Sequence, residues 1–460
     1  MNTNSVLHSF KKEVSNNLSI SIPLIASQLI YATSGFVGTA LVAHLGEEAL
    51  AASVLVSTIW MSLSVLFFGV LNAVSVLVSH AYGAEDHKAI SKIMGQSMIL
   101  GAIVSVIMIA VLSTMPLFLN LTNQPEHVKV LATAYMRALL WTIPSLILLI
   151  ILEQFLAGIN RTKLVLRISL LIVPLEIPLI YVLIFGKFGM PAFGVAGIGY
   201  GFATTYTLVS IGMIIHFLRS SSLKHYDIFS SIGSFHPKIL FELIRVGFPI
   251  GCMHVIEVST FTIATFWIAK FGTTALAAHQ IIMQYLGFMI TMVFAMSQAV
   301  TVRVGHAIGS QSLDQIRLAI IVGLVLDLFA VALIVFIFIC LPTYILHFDI
   351  NPNDPKNAEL VKIATKLFTI AAILLIFDNF RIIGFGALRG LKDTTFPMIA
   401  SLISFWLIGL SSAYYFGIVN NMGGAGVWCG LTIGIASGAV IVLMRTRYLV
   451  NQLNIVENGT

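Results

Sequence analysis

Few residues in this chain can do chemistry, and they stand out because they interrupt long apolar runs. Glu257 lies in His254-Val-Ile-Glu257-Val-Ser-Thr260, and Asp378 in Leu375-Ile-Phe-Asp378-Asn-Phe-Arg381. Glu176 sits between two prolines in Pro174-Leu-Glu176-Ile-Pro178. Glu153 and Gln154 come late in another apolar run, and Asp327 interrupts a third. A charged side chain at the centre of a bilayer costs at least about 2.5–3.5 kcal/mol and is a functional candidate by default. Two carboxylates in a low-dielectric cavity cannot both stay ionised without a cation between them. Glu257 and Asp378 therefore make a candidate site for a coupling cation, either H⁺ or Na⁺, since hard oxygen ligands suit Na⁺. Ser259, Thr260, Gln280, Gln284 and Asn379 are nearby oxygen or amide groups that can support it. Arg381, three residues after Asp378 on the same helical face, is a rival partner for that carboxylate. In the first half of the chain, Glu176 with Gln28 and Tyr31 forms a candidate proton or substrate site.

Other chemistries find no support. An intramembrane enzyme would need a dense aspartate motif, an HExxH helix or a nucleophile–base pair, and the sequence has none of these. Cys252, Cys340 and Cys429 lie in apolar stretches outside any CxxC pair, and read as small core residues. No cofactor is expected beyond the coupling ion.

The elements that must position these groups are set by composition. Of 460 residues, 58% are hydrophobic and 10% charged, and mean hydropathy is +0.98. So few charges cannot cover a water-facing surface, which excludes an ordinary soluble enzyme. Disorder would need low hydrophobicity and high net charge. The net charge of +6 comes from scattered cations with no basic run, so nucleic acid is not an expected partner. Stretches of about 20 apolar residues read as spanning helices, and their unbroken length rules out alternating barrel strands. Twelve are expected, at about 17–43, 51–80, 94–119, 129–157, 164–186, 194–218, 240–269, 276–304, 317–346, 360–387, 395–417 and 425–448. Lys11 and Lys12 precede the first stretch and no A-x-A site follows it, so it is expected to be a retained span. With both termini cytoplasmic, the Lys and Arg residues divide about 18 inside to 7 outside, as the positive-inside bias requires.

The chain is also a repeat. Residues 23–83 overlay 249–309 at a constant offset of 226, pairing Pro23 with Pro249, Gly46 with Gly272, His80 with His306 and Gly83 with Gly309. Ala49-Leu50-Ala51-Ala52 meets Ala275-Leu276-Ala277-Ala278. The expected domains are a six-helix lobe over 1–218, a cytoplasmic linker over 219–238 and a second six-helix lobe over 239–460. Transporters built from such parallel repeats bind near the midplane and rock one half against the other, which fits better than a ring-lined channel.

The ordered set Gly247-Phe-Pro-Ile250, Glu257, Ala275-Leu-Ala-Ala-His-Gln280, Val302-Arg-Val-Gly-His306, Asp378 and Gly386-Ala-Leu-Arg-Gly-Leu-Lys-Asp393 resembles the multidrug and toxic compound extrusion (MATE) family, in its bacterial NorM-type branch. The resemblance implies an all-α polytopic membrane protein, twelve helices in two lobes forming a V, in a bacterial inner membrane and acting as a monomer. It implies export of cationic, aromatic or amphipathic drugs in exchange for Na⁺ or H⁺. It puts the coupling cation on Glu257 of helix 7 and Asp378 of helix 10, helped by Gln280 and Gln284 of helix 8. Two departures matter. The family's helix 1 aspartate, in a G-F-x-D context, is Gly38 here, in Gly35-Phe36-Val37-Gly38, and Glu176 stands where the family often has asparagine on helix 5. The first-lobe acid is therefore expected to have moved from helix 1 to helix 5. Arg381 occupies a position where a neutral polar residue is more typical; an internal ion pair with Asp378 would weaken Na⁺ binding. A lipid-linked or small-metabolite exporter of the same superfamily is the alternative, disfavoured because the spans carry no cationic cluster.

Overall fold

The structure, a computed structural model, describes residues 3–121 and 125–458; the side chains of 3–6, 34–36, 39, 118, 120, 121 and 454–458 are outside the description. Lipid offers no hydrogen bonds to a bare backbone, so a chain this apolar must satisfy its amides within each segment. Among the described residues all regular structure is helical. In chain order the long helices are α1 (Thr3–Ala43), α2 (Glu47–Gly83), α3 (His87–Leu121), α4 (Glu126–Leu140 and Ile143–Gly158), α5 (Thr162–Phe185) and α6 (Ala196–Arg219). Then come α7 (Pro237–Ala269), α8 (Thr273–Gly309), α9 (Leu313–Cys340), α10 (Ala358–Gly390), α11 (Thr395–Val419) and α12 (Gly423–Asn458).

Among the described residues ten helices are long and apolar enough to cross a membrane, and the two parts of α4, bent by 49°, make an eleventh if taken as one span. The expected stretch 17–43 falls in α1, which is not among them and whose side chains are described only in part. The count of twelve is therefore approximate, while the all-α, many-span class stands. No more than half of any span's most apolar window is buried. Large apolar side chains such as Met61, Leu171, Phe266 and Phe329 lie on the surface, where lipid is their natural solvent. Pro174 and Pro178 sit inside α5, which nevertheless runs unbroken past Glu176. In α11, two π-helical stretches, Leu402–Leu410 and Tyr415–Val419, flank a short α-helical turn. Such stretches are rare and cluster at functional sites.

The chain packs as two compact units: a carboxy-terminal unit, Met1–Ser21 with Cys252–Thr460, and an amino-terminal unit, Ile22–Gly251. The cuts fall inside α1 and α7, whereas the sequence repeat joins at 219–238. That join is folded onto α3 of the amino-terminal unit: Ser91 Oγ donates to the Asp227 carbonyl at 2.7 Å, and Gln96 Nε2 to the Ser234 carbonyl at 2.7 Å.

The repeat recurs in backbone and packing. Gly46 and Gly272, which precede α2 and α8, have φ of 102° and 103°, a region open to glycine at no steric cost. A Cβ on Gly158 would lie 2.7 Å from Val78 Cγ1, and one on Gly390 would lie 2.7 Å from Val304 Cβ, the residue 226 positions on from Val78. Both glycines thus let one helix lie against another where nothing larger fits. Gly390→Ala is expected to overpack this crossing and cost about 1–3 kcal/mol, read as a lower unfolding temperature of the purified protein.

Candidate functional site

In the carboxy-terminal unit, α7 and α10 bring Glu257, Asp378 and Arg381 together. The Arg381 Nε donates to Asp378 Oδ1 at 2.6 Å, and an Arg381 Nη donates to Glu257 Oε1 at 2.9 Å. Arg381 is 0% exposed, Asp378 1% and Glu257 8%. The planar guanidinium can face two acids at once because its donors fan out in a fixed fork. Phe405 of α11 and Phe385 of α10 lie 4.7 and 5.1 Å from the guanidinium carbon, an arrangement that attracts a cation to their ring faces. Trp406, within the first π-helical stretch, donates its indole N–H to Ser259 Oγ at 3.3 Å. The two acids expected to hold a coupling cation thus already share one, and it is a side chain of the protein.

The cluster extends further. Asp327 of α9 is wholly buried, neither of its oxygens has a hydrogen-bond partner, and its charge interacts with that of Asp378. A further buried carboxylate thus lies near Asp378, where an unbalanced charge is costly to keep. Asn379 is buried with both amide atoms unpartnered, as is the second Arg381 Nη. Thr260 is buried, but its hydroxyl donates back to the Ile256 carbonyl within α7. Gln280 and Gln284 are exposed on α8, and no hydrogen bond among the described residues joins them to the acids. The inward polar residue of that turn is His279, which bonds Thr265 Oγ1 at 2.8 Å and accepts from the Trp428 indole at 3.2 Å. Among the described residues no three His, Cys, Asp or Glu converge as metal ligands.

The amino-terminal unit holds a cavity of about 520 Å³. Gln28, Tyr31, Trp60, Tyr135, Glu153 and Tyr206 are among its lining residues. Tyr31 Oη donates to Glu153 Oε1 at 2.6 Å. Glu176, 1% exposed, is not part of the lining; it is hydrogen-bonded by Tyr206, and its charge also reaches Tyr135. Gln28 and Tyr31 are thus brought to one cavity, with Glu176 outside its lining and bonded to Tyr206. The carboxylate in the lining is Glu153. Its signal was in the sequence: Glu153-Gln154 is the only charged or amide pair in Ile143–Gly158, an otherwise apolar helix. Gly38 lines the same cavity, and a Cβ there would meet nothing within 4 Å. The side chains at 35 and 36 of its motif are outside the described residues.

A family model described as MatE matches residues 23–182 and 249–415. The two matches begin at the paired prolines of the repeat. The "Probable multidrug resistance protein NorM" of Synechocystis is 30% identical over 441 residues, covering 96% of each chain. The "Multidrug resistance protein NorM" of Vibrio cholerae is 29% identical over 457 residues, covering 98% of this chain and 99% of its own. Among solved structures, the Vibrio cholerae MATE transporter VcmN superposes with a TM-score of 0.87 at 17% identity, over 97% of this chain and 98% of its own. A MOP superfamily transporter from Pyrococcus furiosus superposes with a TM-score of 0.84 at 19% identity, over 96% and 97%. These two likenesses show the fold.

Proposed function

The chain belongs to the MatE family, as a bacterial NorM-type MATE transporter and not an enzyme, and from that premise we propose that it exports amphipathic and cationic organic compounds by exchange for protons. The observation that carries the choice of proton is the Arg381 bridge between Glu257 and Asp378. A guanidinium does not lose its proton in a protein. A Na⁺ entering between the acids must displace a tethered charge, whereas a proton adds to one carboxylate and leaves the arginine bound to the other. Protonation of Glu257 frees one arm of Arg381 and loosens the tie between α7 and α10. That is a difference in bonding between two states, which coupling requires.

The cavity of the amino-terminal unit has the chemistry for the exported compound. Aromatic faces attract organic cations, and Glu153 supplies a compensating charge. A lipid-linked anionic cargo would meet that carboxylate unfavourably, which argues against the flippase alternative. On this reading the protein works in a bacterial inner membrane, with both termini cytoplasmic and one chain as the working unit.

The test is ethidium transport in proteoliposomes under an imposed pH or Na⁺ gradient. Transport is expected to follow the pH gradient and ignore Na⁺. Glu257→Gln and Asp378→Asn should each remove a coupling free energy of about 1–3 kcal/mol, a 5–150-fold loss of gradient response. Undiminished pH-driven transport in both variants defeats the proposal.

A further inference from the structure

A second cavity, of about 360 Å³, lies between α5 and α6 of the amino-terminal unit. Its walls are Ile168, Leu171 and Leu175 on α5 and Leu208, Val209 and Met213 on α6. Leu171, Leu175 and Leu208 are exposed, so the slot opens on the surface that faces lipid. Gly212 stands in the wall of α6, and a Cβ there would meet nothing within 4 Å, so this helix leaves the slot open at that level. Arg167 and His216 are the charged or titratable side chains in the lining. Arg167 is in the second turn of α5 and His216 in the last turn of α6, so both stand at the same end of the slot. Lys163 lies one turn before Arg167 and Arg219 closes α6 beyond His216, all four exposed at that rim. It is the side expected to be cytoplasmic.

We propose that this slot binds an anionic phospholipid, with one acyl chain between α5 and α6 and the phosphate at Arg167 and His216. The apolar walls alone select nothing, because a lipid tail in the slot and one in the bilayer are equally apolar. Selection comes from the basic rim. Basic pockets between spanning helices on the cytoplasmic side take acidic headgroups, with each cation contributing on the order of 1 kcal/mol. The acyl chain fixes the headgroup at that rim and separates a lipid from a free anion.

The measurement is lipid retention by the purified full chain in native mass spectrometry, from mixed micelles holding equal phosphatidylglycerol and phosphatidylcholine. Phosphatidylglycerol is expected to be retained preferentially, and inorganic phosphate is not expected to compete it away. Removing the Arg167 charge and the His216 ring in Arg167→Gln/His216→Gln should cut the preference roughly fivefold for the arginine charge lost. Gly212→Leu, which fills the slot and keeps both basic residues, should cut retention as well. Equal retention of the two lipids by the wild-type protein overturns the proposal. So does a preference that survives Arg167→Gln/His216→Gln, a retention that survives Gly212→Leu, or a preference that inorganic phosphate abolishes. Proton-driven ethidium transport is read separately, so failure here leaves the coupling site untouched.

Discussion

Arg381→Gln is expected to make a Na⁺-indifferent exporter Na⁺-responsive. The substitution keeps a polar side chain of similar reach but removes the resident charge from between Glu257 and Asp378. Both acids then lie buried without a counter-charge, and breaking a buried pair from one side costs about 3–5 kcal/mol. In Na⁺-free buffer the variant should therefore unfold at a markedly lower temperature and transport poorly under a pH gradient. Na⁺ can now take the place of the guanidinium. A ligand at 100 times its dissociation constant stabilises the folded state by about 2.7 kcal/mol, so added NaCl should recover much of the lost unfolding temperature where choline chloride does not. Arg381→Lys separates charge from geometry: an ammonium is a point charge without the fork that reaches two acids. It should keep Na⁺ indifference while weakening the bridge. Wild-type stability and pH-driven transport in Arg381→Gln, with no response to Na⁺, would show that the bridge plays no part in coupling.

The spans were legible because burial in lipid leaves a simple mark, long apolar runs with charged breaks. The repeat was legible because glycine and proline positions are fixed by backbone geometry, and Gly46 and Gly272 adopt nearly the same φ. The Asp378–Arg381 pair was legible because three residues along a helix return to the same face. The second arm of Arg381, to Glu257 on another helix, was not, since sequence spacing carries no information about the rotation of α7 against α10. The same limit appears at Gln280. One residue along a helix turns about 100°, and it is His279 that faces inward. Gln280 and Gln284 are exposed, while the His279 imidazole packs inward against Thr265 and Trp428. The cuts between packing units, inside α1 and α7, are likewise properties of packing that a repeat boundary does not mark.

The amino-terminal acid is the other point where sequence and structure separate, and it yields the second large expected effect. An acid midway along helix 5, where the family often has asparagine, points to Glu176; the structure hydrogen-bonds Glu176 to Tyr206 outside the cavity lining, while Glu153 stands in that lining with Tyr31. Glu153→Gln is close to isosteric, and its amide oxygen can still accept the Tyr31 hydroxyl, so the fold should hold. What it removes is the charge. Losing one member of a desolvated charge pair typically costs about 2–5 kcal/mol of binding. The ethidium KM should therefore rise by about thirtyfold or more, while a neutral amphipathic substrate should be far less affected. Glu176→Gln, acting only through the tyrosines, should have the smaller effect of the two. Gly38 allows a sharper test, because it lines the same cavity with free space at its Cβ. Gly38→Asp placed in the Glu153→Gln protein restores a carboxylate to that cavity from another helix and should lower the ethidium KM again, where Gly38→Asn should not. If Glu176→Gln proves the more damaging, or if the aspartate at 38 fails to rescue, the charge that matters lies at Glu176 and the cavity carboxylate is incidental.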